Sequence, residues 1–71
     1  MSTLRVQFGK KIKSLRLKNR LTQEQLAEKT GLSVDFIGMI ERGERAPSFD
    51  SLGILAKALK VKLYNLFEGV D

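Results

Sequence analysis

Neither cysteine nor histidine occurs among the 71 residues. Disulfide bonds are therefore excluded, and so is a metal held by cysteine or histidine ligands. Acid–base and nucleophilic catalysis lose their two commonest side chains as well. No paired-acid motif and no phosphate-cradling glycine pattern replaces them. The chain is expected not to be an enzyme and to need no cofactor and no metal. Long apolar runs are also absent: nothing approaches the roughly 18 residues of a membrane span, and there is no secretory hydrophobic segment. Linkers, low-complexity tracts and internal repeats are missing too, which leaves a single domain over residues 1–71. Acidic residues, finally, are missing from the first 23 positions. These carry Arg5, Lys10, Lys11, Lys13, Arg16, Lys18 and Arg20, and all the carboxylates follow them.

What is present is 42% hydrophobic and 30% charged residues, enough for a small core and too apolar for a disordered tail. A chain of this size buries only about 60% of the surface it exposes when unfolded, so good helix packing or a partner subunit is needed. Thirteen Lys and Arg against eight Asp and Glu leave +5, with a pI near 9.9, which suggests a polyanionic partner. An acid-free basic N-terminus can mimic a transit peptide. Here, however, Leu4, Phe8, Ile12 and Leu15 form the apolar stripe of a core-facing helix. Removing that helix would take much of the core, so the targeting reading is rejected and a soluble, cytoplasmic protein with no membrane contact is expected.

The punctuation predicts five short helices and no strand, hence an all-α fold. The first runs from about Leu4 to Lys18, with Asn19 as the left-handed residue at its end. Thr22 and Gln25 have the spacing of a capping box for the second, which Gly31 stops. Ser33 caps a third reaching about Arg42, with Phe36, Ile37 and Ile40 inward, and Gly43 ends it. Ser48 caps a fourth that holds Leu52, Leu55, Ala56 and Leu59. A last helix, about 63–68, presents Leu63, Leu66 and Phe67.

The informative stretch is 23–42. Two helices are joined by Gly31-Leu32-Ser33, too short a link for a long antiparallel hairpin. Gly31 supplies the positive φ of a sharp turn. Ala27 is small where the helices cross, and Leu26, Leu32, Ile37 and Ile40 are apolar where each meets the core. This is the pattern of a helix-turn-helix; the alternative is an ordinary αα-corner in a small bundle.

Thr22-Gln23-Glu24-Gln25-Leu26-Ala27, Gly31-Leu32-Ser33, Ile37 and Ile40-Glu41-Arg42-Gly43 together resemble the helix-turn-helix regulators of the phage repressor and Cro type. Pro47-Ser48, Leu52, Leu55-Ala56-Lys57-Ala58-Leu59 and Leu66-Phe67 extend the likeness over nearly the whole chain. Small members of this family include the controller proteins of restriction–modification systems, which are little more than this domain and act as homodimers. The resemblance implies a compact five-helix repressor-like domain whose third helix lies in the major groove of DNA. Its outward side chains, Val34, Asp35, Gly38 and Met39, would then read bases. Gln23, Phe36, Arg42, Arg45 and Ser48 would meet phosphates. Gln23 also suits a helix on propensity alone, and Arg45 a solvated surface.

The reading face departs from expectation, because it holds no Arg, Lys, Asn or Gln for bidentate base contacts. Val34 and Met39 can meet thymine methyls. Asp35 can accept from cytosine N4 or simply favour the positive helix end. Gly38 allows a close approach either of DNA or of a packed helix. Indirect readout of DNA shape is expected to fill part of the gap. The family also pairs an arginine late in the first helix with a glutamate near the end of the third, here Arg16 and Glu41. Such a pair would orient the recognition helix while keeping one donor outward; the alternative is two unrelated surface charges. Arg20 stands where the family commonly has glycine, so Asn19 is expected to absorb the unusual angle. Lys62 replaces a capping residue, so the last helix should be weakly capped.

Leu63, Tyr64, Phe67 and Val70 near the C-terminus exceed what one short helix buries and are the candidate dimer contact, with Leu66 closing the core and Gly53 admitting a close neighbour. The leading expectation is a sequence-specific regulator that binds double-stranded DNA as a homodimer on a palindromic operator. The alternative is a protein-interaction adaptor or antitoxin-like module with a degraded reading face.

Overall fold

The computed structural model describes residues 3–70; Met1, Ser2 and Asp71 of the expected domain lie outside it. Among the described residues the chain is all-α, in the order α1 (Leu4–Lys18), α2 (Gln23–Thr30), α3 (Val34–Glu41) and α4 (Phe49–Ala58), followed by a 3-10 turn at Leu63–Phe67. In place of the five expected helices there are four α-helices, and the fifth, at Leu63–Phe67, is a tighter 3-10 turn. Its five residues lie between Lys60 at φ 61 and an extended Glu68, too few for an i→i−4 ladder. The Lys62 side chain supplies no cap. Instead Asn65 reaches back, accepting the Lys62 N–H at 3.0 Å while its own N–H donates to the Lys62 carbonyl at 2.9 Å.

Each helix starts on a hydroxyl that accepts a backbone N–H three residues on: Thr3 from Val6, Thr22 from Gln25, Ser33 from Phe36 and Ser48 from Ser51. At α2 the expected capping box closes, with Gln25 Oε1 accepting the Thr22 N–H at 2.8 Å. Gly31 ends α2 at φ 76, the left-handed turn on which the helix-turn-helix depends.

The end of α1 differs from expectation. Asn19 stays near helical angles (φ −87, ψ 5), and Arg20 itself takes the left-handed position at φ 59. The hydrogen bonds explain the shift. Asn19 Nδ2 donates to the Leu15 carbonyl at 2.8 Å and to the Leu59 carbonyl at 3.1 Å, pinning the last turn of α1 to the end of α4. The reversal therefore falls one residue later. It closes as a Schellman motif, with Leu21 N–H on the Arg16 carbonyl and Arg20 N–H on the Leu17 carbonyl. A non-glycine residue held there costs roughly 1–2 kcal/mol.

Ile12, Leu26, Ile37, Ile40, Leu55, Leu59 and Leu66 are fully buried and form the centre of the core, each worth about 1.5–3 kcal/mol of burial. α1 packs across α3, α2 bridges α3 and α4, and the C-terminal turn closes against α4 and α1. Leu4, expected in the buried stripe, is 60% exposed. It lies in the first turn of α1, beyond the rim of the core, and only Phe8, Ile12 and Leu15 continue inward, flanked by Gly9 and Arg16.

Candidate nucleic-acid interface

Two devices hold α3 from behind. The first is a backbone contact. Gly9 of α1 is buried against the last turn of α3 so closely that a Cβ there would overlap the Ile40 carbonyl oxygen and lie 2.7 Å from that of Glu41. The second is the buried pair that links α1 to the same turn. Arg16 Nε donates to Glu41 Oε2 at 2.6 Å and Nη2 to Oε1 at 3.1 Å, with side-chain exposures of 9% and 3%. The third guanidinium nitrogen does not point outward as expected. Nη1 donates to the Leu21 carbonyl at 2.8 Å and so ties the α1–α2 link into the same cluster. Gln23 Nε2 adds a third donor to Glu41, at 3.0 Å from Oε1. A buried carboxylate with three donors and a guanidinium with every nitrogen engaged satisfy the condition under which a buried ion pair is retained.

The opposite face of α3 is open. Gln23, Val34, Asp35, Gly38, Met39, Arg42 and Glu44 line a shallow hollow of about 350 Å³. All four residues expected to face bases are brought together there. Gly38 itself is buried, and the atoms nearest a Cβ built on it belong to side chains: Arg42 Nη1 at 3.0 Å, Arg42 Cζ at 3.8 Å and Gln23 Oε1 at 3.8 Å. The α-helix carries residues 38 and 42 on one side, and side chains lean toward its N-terminus. Arg42 accordingly folds back over Gly38.

Of the residues expected at phosphates, Gln23 and Arg42 line this hollow, whereas Phe36 packs against the core. Gln23 stands at its edge with its amide shared with Glu41. Arg45 and Ser48 are exposed in the segment that follows α3. The Ser48 hydroxyl caps α4 and bonds Ser51, and the Phe36 N–H is committed to Ser33. Arg42 is held by a residue that the sequence pattern did not single out. Its Nε donates to Glu44 Oε2 at 2.9 Å and its Nη2 to Oε1 at 3.3 Å. Those hydrogen bonds hold the Glu44 carboxyl below the ordinary glutamate range and the Arg42 guanidinium above its own, with a smaller push on Arg42 from Asp35. The only hint in the sequence is an acid two residues after an arginine; whether the two meet depends on the turn between them.

A helix-turn-helix family profile matches residues 12–66. The chain belongs to the helix-turn-helix family. It is 46% identical to the control protein C.SmaI of Serratia marcescens over 59 residues, 83% of this chain and 70% of that protein. It spans under half the length of several longer regulators of the family. Among solved structures it superposes on the restriction–modification controller protein C.AhdI of Aeromonas hydrophila with a TM-score of 0.85 and 39% identity, covering 87% of this chain and 94% of the other. It also matches the controller protein C.Esp1396I, seen as a tetramer in complex with its natural 35 base-pair operator. That match has a TM-score of 0.84 and 36% identity, over 99% of this chain and 92% of the other. These relatives are regulators and not enzymes, and the resemblance read from the sequence stands.

Away from the hollow, this family member carries an apolar surface near its C-terminus. Leu63, Tyr64 and Phe67 are exposed, Val70 is half-buried, and Leu66 fills the core as expected. Phe67 also leans on Phe8, ring centres 5.2 Å apart. Leu4, Phe8, Pro47, Leu52, Phe67 and Val70 enclose an apolar hollow of about 210 Å³. Gly53 is exposed, and nothing lies within 4 Å of a Cβ built there. Phe49, 88% exposed, was missed by sequence reasoning. It is the first residue of α4, where the helix extends past the core. Among the described residues no helix is long and apolar enough to cross a membrane, and no acidic cluster has the makeup of a metal site.

Proposed function

We propose that this protein is a sequence-specific regulator of transcription that binds double-stranded DNA as a homodimer on a palindromic operator in the cytoplasm. The observation that carries this reading is the asymmetry of α3. Its inner side is locked by Gly9 and the Arg16–Glu41 pair, while its outer side opens as a hollow lined by Val34, Asp35, Gly38 and Met39. A rigid helix with an unobstructed face is what docking into a major groove requires. Val34 and Met39 offer methyl contacts and Asp35 an acceptor. Gln23 at the hollow, with the exposed Arg45 and Ser48 in the segment that follows α3, would serve as phosphate contacts, and the net charge of +5 supplies long-range attraction. C.Esp1396I bound to its operator lends this arrangement support. The exposed Leu63, Tyr64 and Phe67, with the half-buried Val70, would join two copies, since such patches mark association surfaces.

Selection from a random duplex pool tests the reading. A two-fold symmetric site with half-sites about 10 bp apart is expected, with affinity falling steeply as salt rises. Recovery of no motif, with no duplex binding at low salt, would overturn it in favour of an adaptor that uses the same helices.

A further inference from the structure

The reading face from Val34 to Met39 holds no long hydrogen-bond donor. One side chain from outside that stretch supplies one. Arg42, one turn beyond Gly38, runs back along α3 into the hollow, and its Nη1 lies over the position where any residue but glycine would place a Cβ. A guanidinium has two flat donor edges. The Nε–Nη2 edge is occupied by both oxygens of Glu44. The Nη1–Nη2 edge remains, and Nη1 makes no hydrogen bond within the described residues. We propose that Arg42 is a base-reading residue, its free Nη1–Nη2 edge aimed by Glu44 across Gly38 at the O6 and N7 acceptors of a guanine.

This assignment rests on the DNA-binding reading above and replaces the expected phosphate role of Arg42. The physical reason lies in what Glu44 does to the arginine. A carboxylate on one edge offsets the positive charge, which weakens attraction to a phosphate, because that attraction depends on net charge. The same carboxylate fixes the plane and direction of the fork, and bidentate guanine recognition depends on those. An arginine meant for phosphates gains nothing from a paired acid; one meant for a base edge gains orientation. Asp35 lines the same hollow and adds an acceptor beside this donor, so donor and acceptor converge on one G·C pair. Gly38 is the third part of the device, since its missing side chain leaves room for the guanidinium to lie against the helix. Glu44 is a positioning residue and touches no base.

The test repeats the duplex selection with the wild type and with Arg42→Ala, Arg42→Lys and Glu44→Gln. It adds binding to the selected duplex with its guanine replaced by 7-deazaguanine, which lacks the N7 acceptor. The wild type should enrich guanine at one position in each half-site and lose affinity on the deaza duplex. Arg42→Ala should lose that preference, bind the selected duplex about 10- to 100-fold more weakly per contact, and be indifferent to the deaza change. Arg42→Lys should not restore the preference. Glu44→Gln should bind unrelated duplexes at least as well as the wild type while discriminating less at the guanine position, a change that a merely structural role would not produce. If Arg42→Ala instead weakens all sequences equally and lowers the salt slope by about one, Arg42 is a phosphate contact and the proposal falls. A symmetric motif with no Arg42-dependent guanine removes this proposal alone; absence of any motif or duplex binding removes the function proposed above as well.

Discussion

Glu41 and Arg42 are neighbours in the chain, yet each belongs to an arginine–glutamate pair of a different kind. Glu41 faces inward and meets Arg16 with exposures of 9% and 3%; Arg42 faces outward and meets Glu44 with exposures of 59% and 54%. Both pairs use the same two-toothed geometry, so the chemistry alone does not distinguish them. Their surroundings do. The inner pair has left water and holds three segments of backbone together through Leu21, Gln23 and the end of α3. The outer pair is bathed in solvent, where ion pairs contribute little to folding. One pair therefore belongs to the stability of α3 and the other to what α3 presents.

The largest expected difference comes from removing each arginine. Arg16→Ala strands Glu41 in the interior with only Gln23 as donor, and loss of one member of a buried pair costs about 3–5 kcal/mol. Against a total stability of roughly 5–15 kcal/mol that is close to unfolding a domain this small. Arg42→Ala should leave the unfolding midpoint unchanged. Thermal and urea unfolding of the two variants checks both halves; comparable losses would mean that the inner pair is not the brace described here.

The glycines on the two sides of α3 should respond with opposite signs. At Gly9 the atoms a methyl would strike are the carbonyl oxygens of Ile40 and Glu41, which cannot yield without moving α3. Gly9→Ala is expected to destabilise by about 1–3 kcal/mol, the ordinary range for overpacking. At Gly38 the obstacle is the far end of a flexible side chain. Gly38→Ala should therefore gain the roughly 0.5–1 kcal/mol by which alanine exceeds glycine within a helix, while displacing Arg42. Unfolding measurements on both variants decide it: a stabilised Gly9→Ala, or a destabilised Gly38→Ala, would reverse the account of how α3 is held.

How far this contrast can be read in the chain follows from the range of each interaction. The caps at Thr22, Ser33 and Ser48 and the turn at Gly31 act within three or four residues, so spacing alone reveals them. The Arg16–Glu41 pair spans 25 residues, and it was legible only through resemblance to a family that pairs those positions. Gly9 was not legible, because nothing local distinguishes a glycine that meets a distant carbonyl from one that is merely tolerated. Arg20 took the left-handed turn because Asn19 was needed elsewhere, at Leu59, forty residues away. Leu4 fits the apolar stripe by period, and its exposure is decided by where the core ends. The Arg42–Glu44 contact is short in sequence but lies past the end of α3, where no periodic rule predicts which side chains meet.

The smallest expected effect lies within the outer pair and reports its geometry most directly. Because Arg42 donates to Glu44, the folded carboxyl titrates below the unfolded one, so any stabilisation from the pair is present above the unfolded value and lost as pH falls through the folded value. Solvent screening keeps that contribution small, and the unfolding midpoint is the wrong observable. The titration of the Glu44 carboxyl by NMR is the right one. Its midpoint should lie below the ordinary glutamate range at low salt and return toward that range in Arg42→Ala. At 1 M salt, where the screening length is about 3 Å, the through-space attraction should fade while the hydrogen-bonded part persists. A Glu44 midpoint that does not move in Arg42→Ala would mean that the guanidinium is not held at that edge. It would also remove the orientation on which reading a guanine depends.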